Sequence, residues 1–134
     1  MILNHQIHHN ESTTEKTPLV FIHGLFGSLS NLGMLARAFY PSHPVIQLDV
    51  RNHGHSAHSA TMNYAVMAQD ILETLDHLNI QQFSVIGHSM GGIIARLLVS
   101  QADTTQSALK MMNSRQLNQY RNIPVVKQRM VIDD

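Results

Sequence analysis

The chain has 134 residues, a length that suits one domain built around a single core. Its nine basic residues balance nine acidic ones, and this neutrality argues against a nucleic-acid partner or an anionic membrane surface. The absence of cysteine excludes disulfides and thiolate metal ligands, and no cofactor is expected. The N-terminal segment lacks a signal-peptide pattern and no apolar run has membrane-spanning length, so we expect a cytoplasmic protein with no membrane partner.

The first predicted elements are a weak strand, a buried strand and a helix. Residues 1–9 alternate weakly between apolar and polar side chains, as a short edge strand would. Residues 18–23 are a compact apolar run followed by a glycine, a pattern typical of a strand buried on both faces. Residues 30–40 carry apolar side chains at helical spacing, and Ser30 or Asn31 is the expected N-cap.

The same alternation of strand and helix continues beyond this point. Residues 44–50 are a second buried apolar run, and Asn63 to Leu78 carries the clearest amphipathic stripe in the chain. Residues 82–87 form a third apolar run, and residues 90–102 have a helical pattern. Strands that alternate with helices predict an α/β fold, with a parallel sheet of about four to five strands and flanking helices.

The last part of the chain gives weaker patterns. Residues 101–134 are rich in polar side chains. We expect a polar helix between Thr105 and Tyr120 and one more strand from Arg129 to Asp133. We interpret residues 1–134 as a single domain with no long linker and no internal repeat.

A serine between two glycines follows the third apolar run, in the sequence Gly87-His88-Ser89-Met90-Gly91. This matches G-x-S-x-G, in which a strand turns sharply into a helix and only glycine fits beside the apex. The turn exposes the serine hydroxyl and directs the Met90 N–H and the helix N-terminus toward the position of an oxyanion. We therefore predict Ser89 as a nucleophile, against the alternative of a plain structural turn.

A second glycine-containing turn, residues 23–27, follows the first apolar run. Its glycines allow an exposed backbone N–H, that of Leu25, to supply the other half of an oxyanion hole. The alternative is an ordinary turn from strand to helix. Because ligands gather at the carboxyl ends of parallel strands, we expect this turn, the loop at 51–59 and Ser89 to form one site.

Four segments, VFIHGLFGS, LDVRNHGHS, YAVMAQDILETLDHLNI and FSVIGHSMGG, resemble the N-terminal half of an α/β-hydrolase, and more narrowly the small bacterial ybfF-type esterases. The likeness covers residues 1 to about 100, in the expected order. It implies an esterase or thioesterase that acts on short acyl groups, with Ser89 as nucleophile and the Leu25 and Met90 amides as the oxyanion hole. The resemblance also implies a structural role for four residues of the turn and the elbow, which are His23, Gly24, Gly87 and Gly91.

The chain also departs from this family. Nothing in residues 101–134 matches the loop that carries the catalytic histidine of the family, so the base is unassigned. The stretch RMVIDD resembles the strand after the elbow helix that ends in an acid, and Asp133 is accordingly our candidate acid. The alternative for Asp133 is a charged chain end.

Other histidines are alternative candidates for the base or for metal ligands. His88 adjoins Ser89, but consecutive residues in an elbow point apart. Three histidines of the 51–59 loop lie on the expected side of the sheet and could replace the missing base. They are His53, His55 and His58. A metal site from these or from the N-terminal histidines is a weaker alternative, because their spacing matches no helical ligand pair and no carboxylate lies among them. The N-terminal histidines in question are His5, His8 and His9.

The sequence thus predicts a partial α/β-hydrolase whose sheet stops before its last strands. Three explanations stay open: a truncated or frameshifted product, self-association through the uncovered sheet edge, or a self-contained binding domain. The expected chemistry is transfer of an acyl group from a small ester or thioester to water through an acyl-serine. We expect this activity to be impaired, because the loop that carries the catalytic histidine has no match in the sequence. The rival hypothesis is a non-catalytic pseudo-hydrolase that binds a small acyl ligand or a partner.

Overall fold

The computed structural model describes residues 1–101, 108–112 and 128–132. A sheet of four strands organises the first of these ranges, with the strand order β1-β3-β2-β4. The strands are β1 (His5–His8), β2 (Leu19–Ile22), β3 (Val45–Leu48) and β4 (Ser84–Gly87). Two of the predicted buried runs, β3 and β2, therefore lie at the centre of this sheet, the third, β4, lies at one edge, and the weak N-terminal strand lies at the other.

The sheet is mixed, where the sequence predicted only parallel pairing. β2 pairs in parallel with β3 and with β4, whereas β1 runs antiparallel to β3. Ile22 at the end of β2 lies opposite Leu48 of β3 and Gly87 of β4. The three parallel strands therefore end level with one another, and the residues that follow them meet at one edge.

Three helices cover the two faces of this sheet. They are α1 (Gly33–Ala38), α2 (Tyr64–His77) and α3 (Met90–Gln101). α2 lies inside the predicted stripe, and its N-cap is Asn63, whose side chain accepts a hydrogen bond of 2.9 Å from the Val66 N–H. The prediction of Ser30 or Asn31 as the cap of α1 is wrong.

Leu32 holds the N-cap position of α1, and it makes no side-chain capping bond. The side chain of Asn31 accepts instead from the Ser28 N–H at 2.8 Å, and the Ser30 hydroxyl lies 3.0 Å from that of Ser28. Both polar side chains therefore stabilise the turn that precedes the helix, which explains why α1 begins later than its pattern indicated.

Alternate residues of the central strands supply two hydrophobic cores. Val20 and Ile22 face the larger core, which α2 and α3 complete with residues such as Ile71 and Ile94. Leu19 and Phe21 face the smaller core beneath α1; its other buried members are Ala36, Phe39, Val45 and Ile86. Helices thus pack on both faces, as expected for strands buried on both sides.

Two further strands lie in the later described ranges. β5 (Ala108–Met112) and β6 (Gln128–Ile132) pair in parallel with each other, and β6 lies against β4. The predicted polar helix between Thr105 and Tyr120 is wrong where the structure describes it, since backbone pairing with β6 overrides a weak helical pattern. The rest of that segment and Asp133 lie outside the described residues. Of the helices in the described ranges, none combines the length and apolar character that a bilayer crossing requires.

Candidate active site

Ser89 occupies the single residue between His88, after β4, and the first residue of α3. Its φ of 56° lies in the left-handed region, which a non-glycine residue adopts only where the surrounding structure enforces it. Its side chain is exposed at the carboxyl edge of the sheet. The backbone thus has the sharp strand-to-helix turn that the sequence pattern indicated.

Close backbone approaches explain both flanking glycines. A Cβ atom on Gly91 would lie 2.2 Å from the carbonyl oxygen of Ile22, and one on Gly87 would lie 2.2 Å from that of Gly91. Both distances are far below van der Waals contact. The start of α3 therefore rests directly on the end of β2, at a separation that excludes any side chain.

The turn that follows β2 lies beside this elbow. The Gly27 N–H donates to the Gly24 carbonyl at 3.0 Å, which closes the turn around Leu25. A Cβ atom on Gly24 would stand 3.5 Å from the Cβ of Ser89 and 3.3 Å from the carbonyl oxygen of His88. The structure therefore brings the glycine-containing turn and Ser89 together.

The first amides of α3 are partly satisfied within the elbow itself. The Gly91 N–H donates to the His88 carbonyl and the Gly92 N–H to the Ser89 carbonyl, each at 2.9 Å. The first N–H groups of a helix have no intrahelical acceptors, so Met90 stands at the position where an anion is best accommodated.

A cavity of about 810 Å³ opens beside Ser89. Its apolar lining consists of Leu25, Met62, Met67, Met90 and Ile93. A second cavity of about 490 Å³ is also bordered by Ser89, together with His88 and Leu25. Ser89 and Leu25 therefore line both cavities.

His23 contacts the backbone of the turn and of the segment after β3. Its Nδ1 lies 2.7 Å from the Gly24 carbonyl and its Nε2 accepts from the Val50 N–H at 3.1 Å. Since a carbonyl only accepts and an amide only donates, the ring is neutral with its proton on Nδ1. Burial lowers the pKa of His23 from its ordinary value of 6.5, despite the hydrogen bond to Gly24.

The predicted substitute bases do not hydrogen-bond to Ser89. Both ring nitrogens of His53 are engaged, with the Arg51 carbonyl at 2.8 Å and the Phe26 N–H at 3.1 Å. His55 and His58 are exposed on the loop between β3 and α2. Within the described ranges, the Ser89 hydroxyl makes no hydrogen bond with any residue.

Sequence reasoning missed the role of Asp49, which lies directly after β3. Its buried carboxylate accepts from the Leu29 N–H at 2.7 Å, the His55 N–H at 2.9 Å and the Asn4 amide at 2.8 Å. Burial acts to raise the pKa of Asp49, but these hydrogen bonds outweigh it and lower the pKa below its ordinary value. One carboxylate thus joins the residue before β1, the segment after the turn at residues 23–27 and the loop after β3.

Gly54 belongs to this arrangement. It has a φ of 51°, and a Cβ atom there would lie 2.3 Å from the Asp49 carboxylate. The carboxylate fills the volume that a side chain at this position would need.

Arg51 anchors the loop after β3 to α2. Its guanidinium donates two hydrogen bonds to the carboxylate of Asp70, at 2.6 Å and 2.8 Å, and a third to the Thr61 carbonyl at 2.7 Å. Bidentate pairing of this kind fixes orientation as well as distance. The sequence offered no sign of it, because both residues fit a solvated loop and a polar helix face equally well.

The histidines considered as metal ligands lie apart. His5 bonds through Nδ1 to the Leu3 carbonyl at 2.8 Å, and His8 stacks on Tyr40 with ring centroids 3.7 Å apart. Over the part of the chain that the structure describes, no three His, Asp or Glu side chains are grouped to hold a metal ion.

Parallel strands that end level, with a serine lifted above the last of them at the start of a helix, define the α/β-hydrolase class of architecture. Comparison with known proteins agrees: the alpha/beta hydrolase fold family matches residues 17–122, and the chain belongs to this family.

Several similar proteins are named as esterases or lipases. Esterase YbfF of Escherichia coli is 49% identical over 92 residues, which are 69% of this chain and 36% of that protein. An sn-1-specific diacylglycerol lipase of Danio rerio is 45% identical over 83 residues, covering 60% of this chain and 26% of that protein. A solved marine microorganism esterase superposes with a TM-score of 0.73 at 30% identity, over 84% of this chain and 42% of its own. The chain therefore spans less than half the length of each of these proteins.

Proposed function

We propose that the chain carries the nucleophile and oxyanion half of a serine esterase or thioesterase, with Ser89 as nucleophile. The observation that supports this most strongly is the position of Ser89 at the left-handed elbow, with Leu25 and Met90 bordering the same cavity of about 810 Å³. Its mainly apolar lining suits the acyl chain of a small ester. The names of the relatives support the same reaction class.

The proposed reaction has two stages. The Ser89 hydroxyl attacks the ester carbonyl carbon and transfers its proton to a base, while the carbonyl oxygen becomes an oxyanion that accepts from the Leu25 and Met90 N–H groups. Collapse of this intermediate breaks the ester bond, and the leaving alcohol or thiol takes up the proton. Water then attacks the acyl-serine by the same route and releases the acid.

The proposed acid is Asp133, which follows β6 in the sequence. β6 lies against β4, the strand that leads to Ser89. The Asp133→Asn variant should slow the reaction of Ser89, and Asp134→Asn is the matched control from the adjacent position. Equal rates for the two variants would exclude Asp133 as the acid.

The nucleophile is tested by intact-mass spectrometry after exposure to a fluorophosphonate. We expect a single adduct that is lost in Ser89→Ala and retained in Ser30→Ala, a control serine exposed on the segment before α1. An adduct that persists in Ser89→Ala, or none on folded wild-type protein, would overturn the proposed mechanism.

A second candidate function is a non-catalytic module that binds a small acyl ligand. It is favoured by the Ser89 hydroxyl, which makes no hydrogen bond to a histidine in the described ranges. A serine without a base is a weak nucleophile. This alternative predicts binding of a short acyl ester without a fluorophosphonate adduct, measured by isothermal titration calorimetry on the same protein.

A further inference from the structure

The imidazole of His53 holds the backbone of the turn after β2. It is buried, and its Nε2 accepts from the Phe26 N–H at 3.1 Å across 27 residues of sequence. Its Nδ1 lies 2.8 Å from the Arg51 carbonyl, which can only accept. The ring must therefore be neutral, with its proton on Nδ1 and with the lone pair of Nε2 accepting the Phe26 N–H.

Leu25 lies between two peptide planes that are each held in place. In the plane before it, the Gly24 carbonyl accepts from His23 Nδ1 at 2.7 Å and from the Gly27 N–H at 3.0 Å. A trans peptide places its C=O and N–H on opposite sides, so these bonds turn the Leu25 N–H away from the two donors. The plane after Leu25 is held through the Phe26 N–H by the histidine bond described above.

The second of these planes is also conformationally demanding. Phe26 has a φ of 61°, in the left-handed region, and its side chain is 91% exposed, so burial of the side chain does not hold it there. The hydrogen bond from its N–H to the imidazole supplies the constraint. Without that bond, the Leu25–Phe26 peptide keeps only the closure of the turn by the Gly27 N–H and the Gly24 carbonyl.

We propose that His53 is a positioning residue for the oxyanion amide of Leu25, and that a proton on its Nε2 releases the turn. This rests on the proposed function, since the turn matters for catalysis only if Ser89 is the nucleophile. A protonated Nε2 would present an N–H to the N–H of Phe26, and the contact would become repulsive. The site would then lose oxyanion stabilisation at acid pH, independently of the protonation of its base.

Two titratable side chains lie near the imidazole. The His23 ring lies 5.2 Å from it between centroids. The Asp49 carboxylate accepts from the His55 N–H, two residues further along the loop. The Arg51 guanidinium is neutralised by its bidentate pair with Asp70. Protonation of either imidazole breaks the support of the turn, so loss of activity with falling pH is the expected sign.

Three variants separate the positioning role from a general structural one. His53→Gln places an amide oxygen near the position of Nε2, and this oxygen can accept from Phe26 without titrating. His53→Asn is too short to do so. His55→Gln, on the same loop with an exposed ring, is the matched control.

The first readout is the Phe26 amide, followed by NMR hydrogen exchange and chemical shift across a pH series. In wild type and His55→Gln its protection should fall as the imidazole is protonated; it should be independent of pH in His53→Gln and absent in His53→Asn. The second readout is the rate of fluorophosphonate labelling of Ser89. We expect His53→Asn to be about 10- to 100-fold slower, somewhat less than the loss of a whole oxyanion donor. The ratio of His53→Gln to wild type should rise as the pH falls.

A Phe26 amide that ignores pH in wild type, or equal labelling of His53→Asn and wild type, would overturn the proposal. Failure of the proposed function gives a different result. If wild type is not labelled at all, the serine mechanism fails, while the amide readout still decides whether His53 holds the turn.

Discussion

Replacement of Gly91 by alanine should destabilise the fold at the junction between β2 and α3. The new methyl group would lie 2.2 Å from the Ile22 carbonyl oxygen and 2.7 Å from that of His23. Both are backbone atoms, one in the last residue of β2 and one in the residue that follows it, so neither can rotate away as a side chain would. The helix must move out by about 1 Å, and overpacking of this kind typically costs about 1–3 kcal/mol.

The movement should also reach Ser89, which immediately precedes the helix. A displacement of about 1 Å at a reacting group can lower the rate by about 100-fold. We therefore expect Gly91→Ala to show a lower urea midpoint in circular dichroism, by about 1 M for a loss of about 2 kcal/mol, together with slow fluorophosphonate labelling.

Gly33→Ala is the matched control, because Gly33 also lies in the first turn of a helix. A Cβ atom there would meet only the Arg37 Nη1 at 3.7 Å, an ordinary contact. The control should be neutral or more stable by about 0.5–1 kcal/mol, since alanine restricts the unfolded chain. Equal stability of Gly91→Ala and Gly33→Ala would refute the close approach of α3 to β2.

Arg51→Met should lower the free energy of unfolding by about 3 kcal/mol in urea titrations, because the buried Asp70 carboxylate loses both guanidinium bonds. The double variant Arg51→Met/Asp70→Leu should recover most of this stability, and a double variant as unstable as Arg51→Met would contradict the prediction. Ser89→Gly should be about 1 kcal/mol more stable than Ser89→Ala in the same assay, since only glycine adopts a φ of 56° without strain, and equal midpoints would argue against a strained elbow. Because burial lowers the pKa of His23, the unfolded chain binds a proton more readily than the folded chain, and the free energy of unfolding should fall as the pH drops below the ordinary histidine pKa of 6.5. A urea midpoint that stays constant from about pH 7 to about pH 5 would contradict this decrease.

The sequence predicted the central features of the fold because they depend on local patterns. Each strand of the sheet lies inside a predicted run, and α2 (Tyr64–His77) lies inside the stripe predicted from Asn63 to Leu78. The elbow was predictable for the same reason, since glycine on both sides of Ser89 is the local signature of a crowded turn.

The polar contacts that hold the site together could not be predicted in this way. His53 and Phe26 are 27 residues apart, and Arg51 and Asp70 are 19 apart. Their pairing depends on how α2 and the strand ends pack, which no short window of sequence contains. The mixed character of the sheet was missed on similar grounds, because alternation predicts a strand but not its direction.

The crowding of Asp49 against Gly54 makes the two positions interdependent under mutation. Any side chain at position 54 is excluded while the carboxylate is present, since its oxygens lie within 2.4 Å of the absent Cβ. Removal of the carboxylate would make room, but it would strand the Leu29 and His55 amides that the carboxylate satisfies. Neither residue can therefore change first without loss, and a side chain at position 54 becomes possible only on a background that has already lost the carboxylate. In a random mutational library this pair should behave as a strong case of epistasis, with each single change depleted.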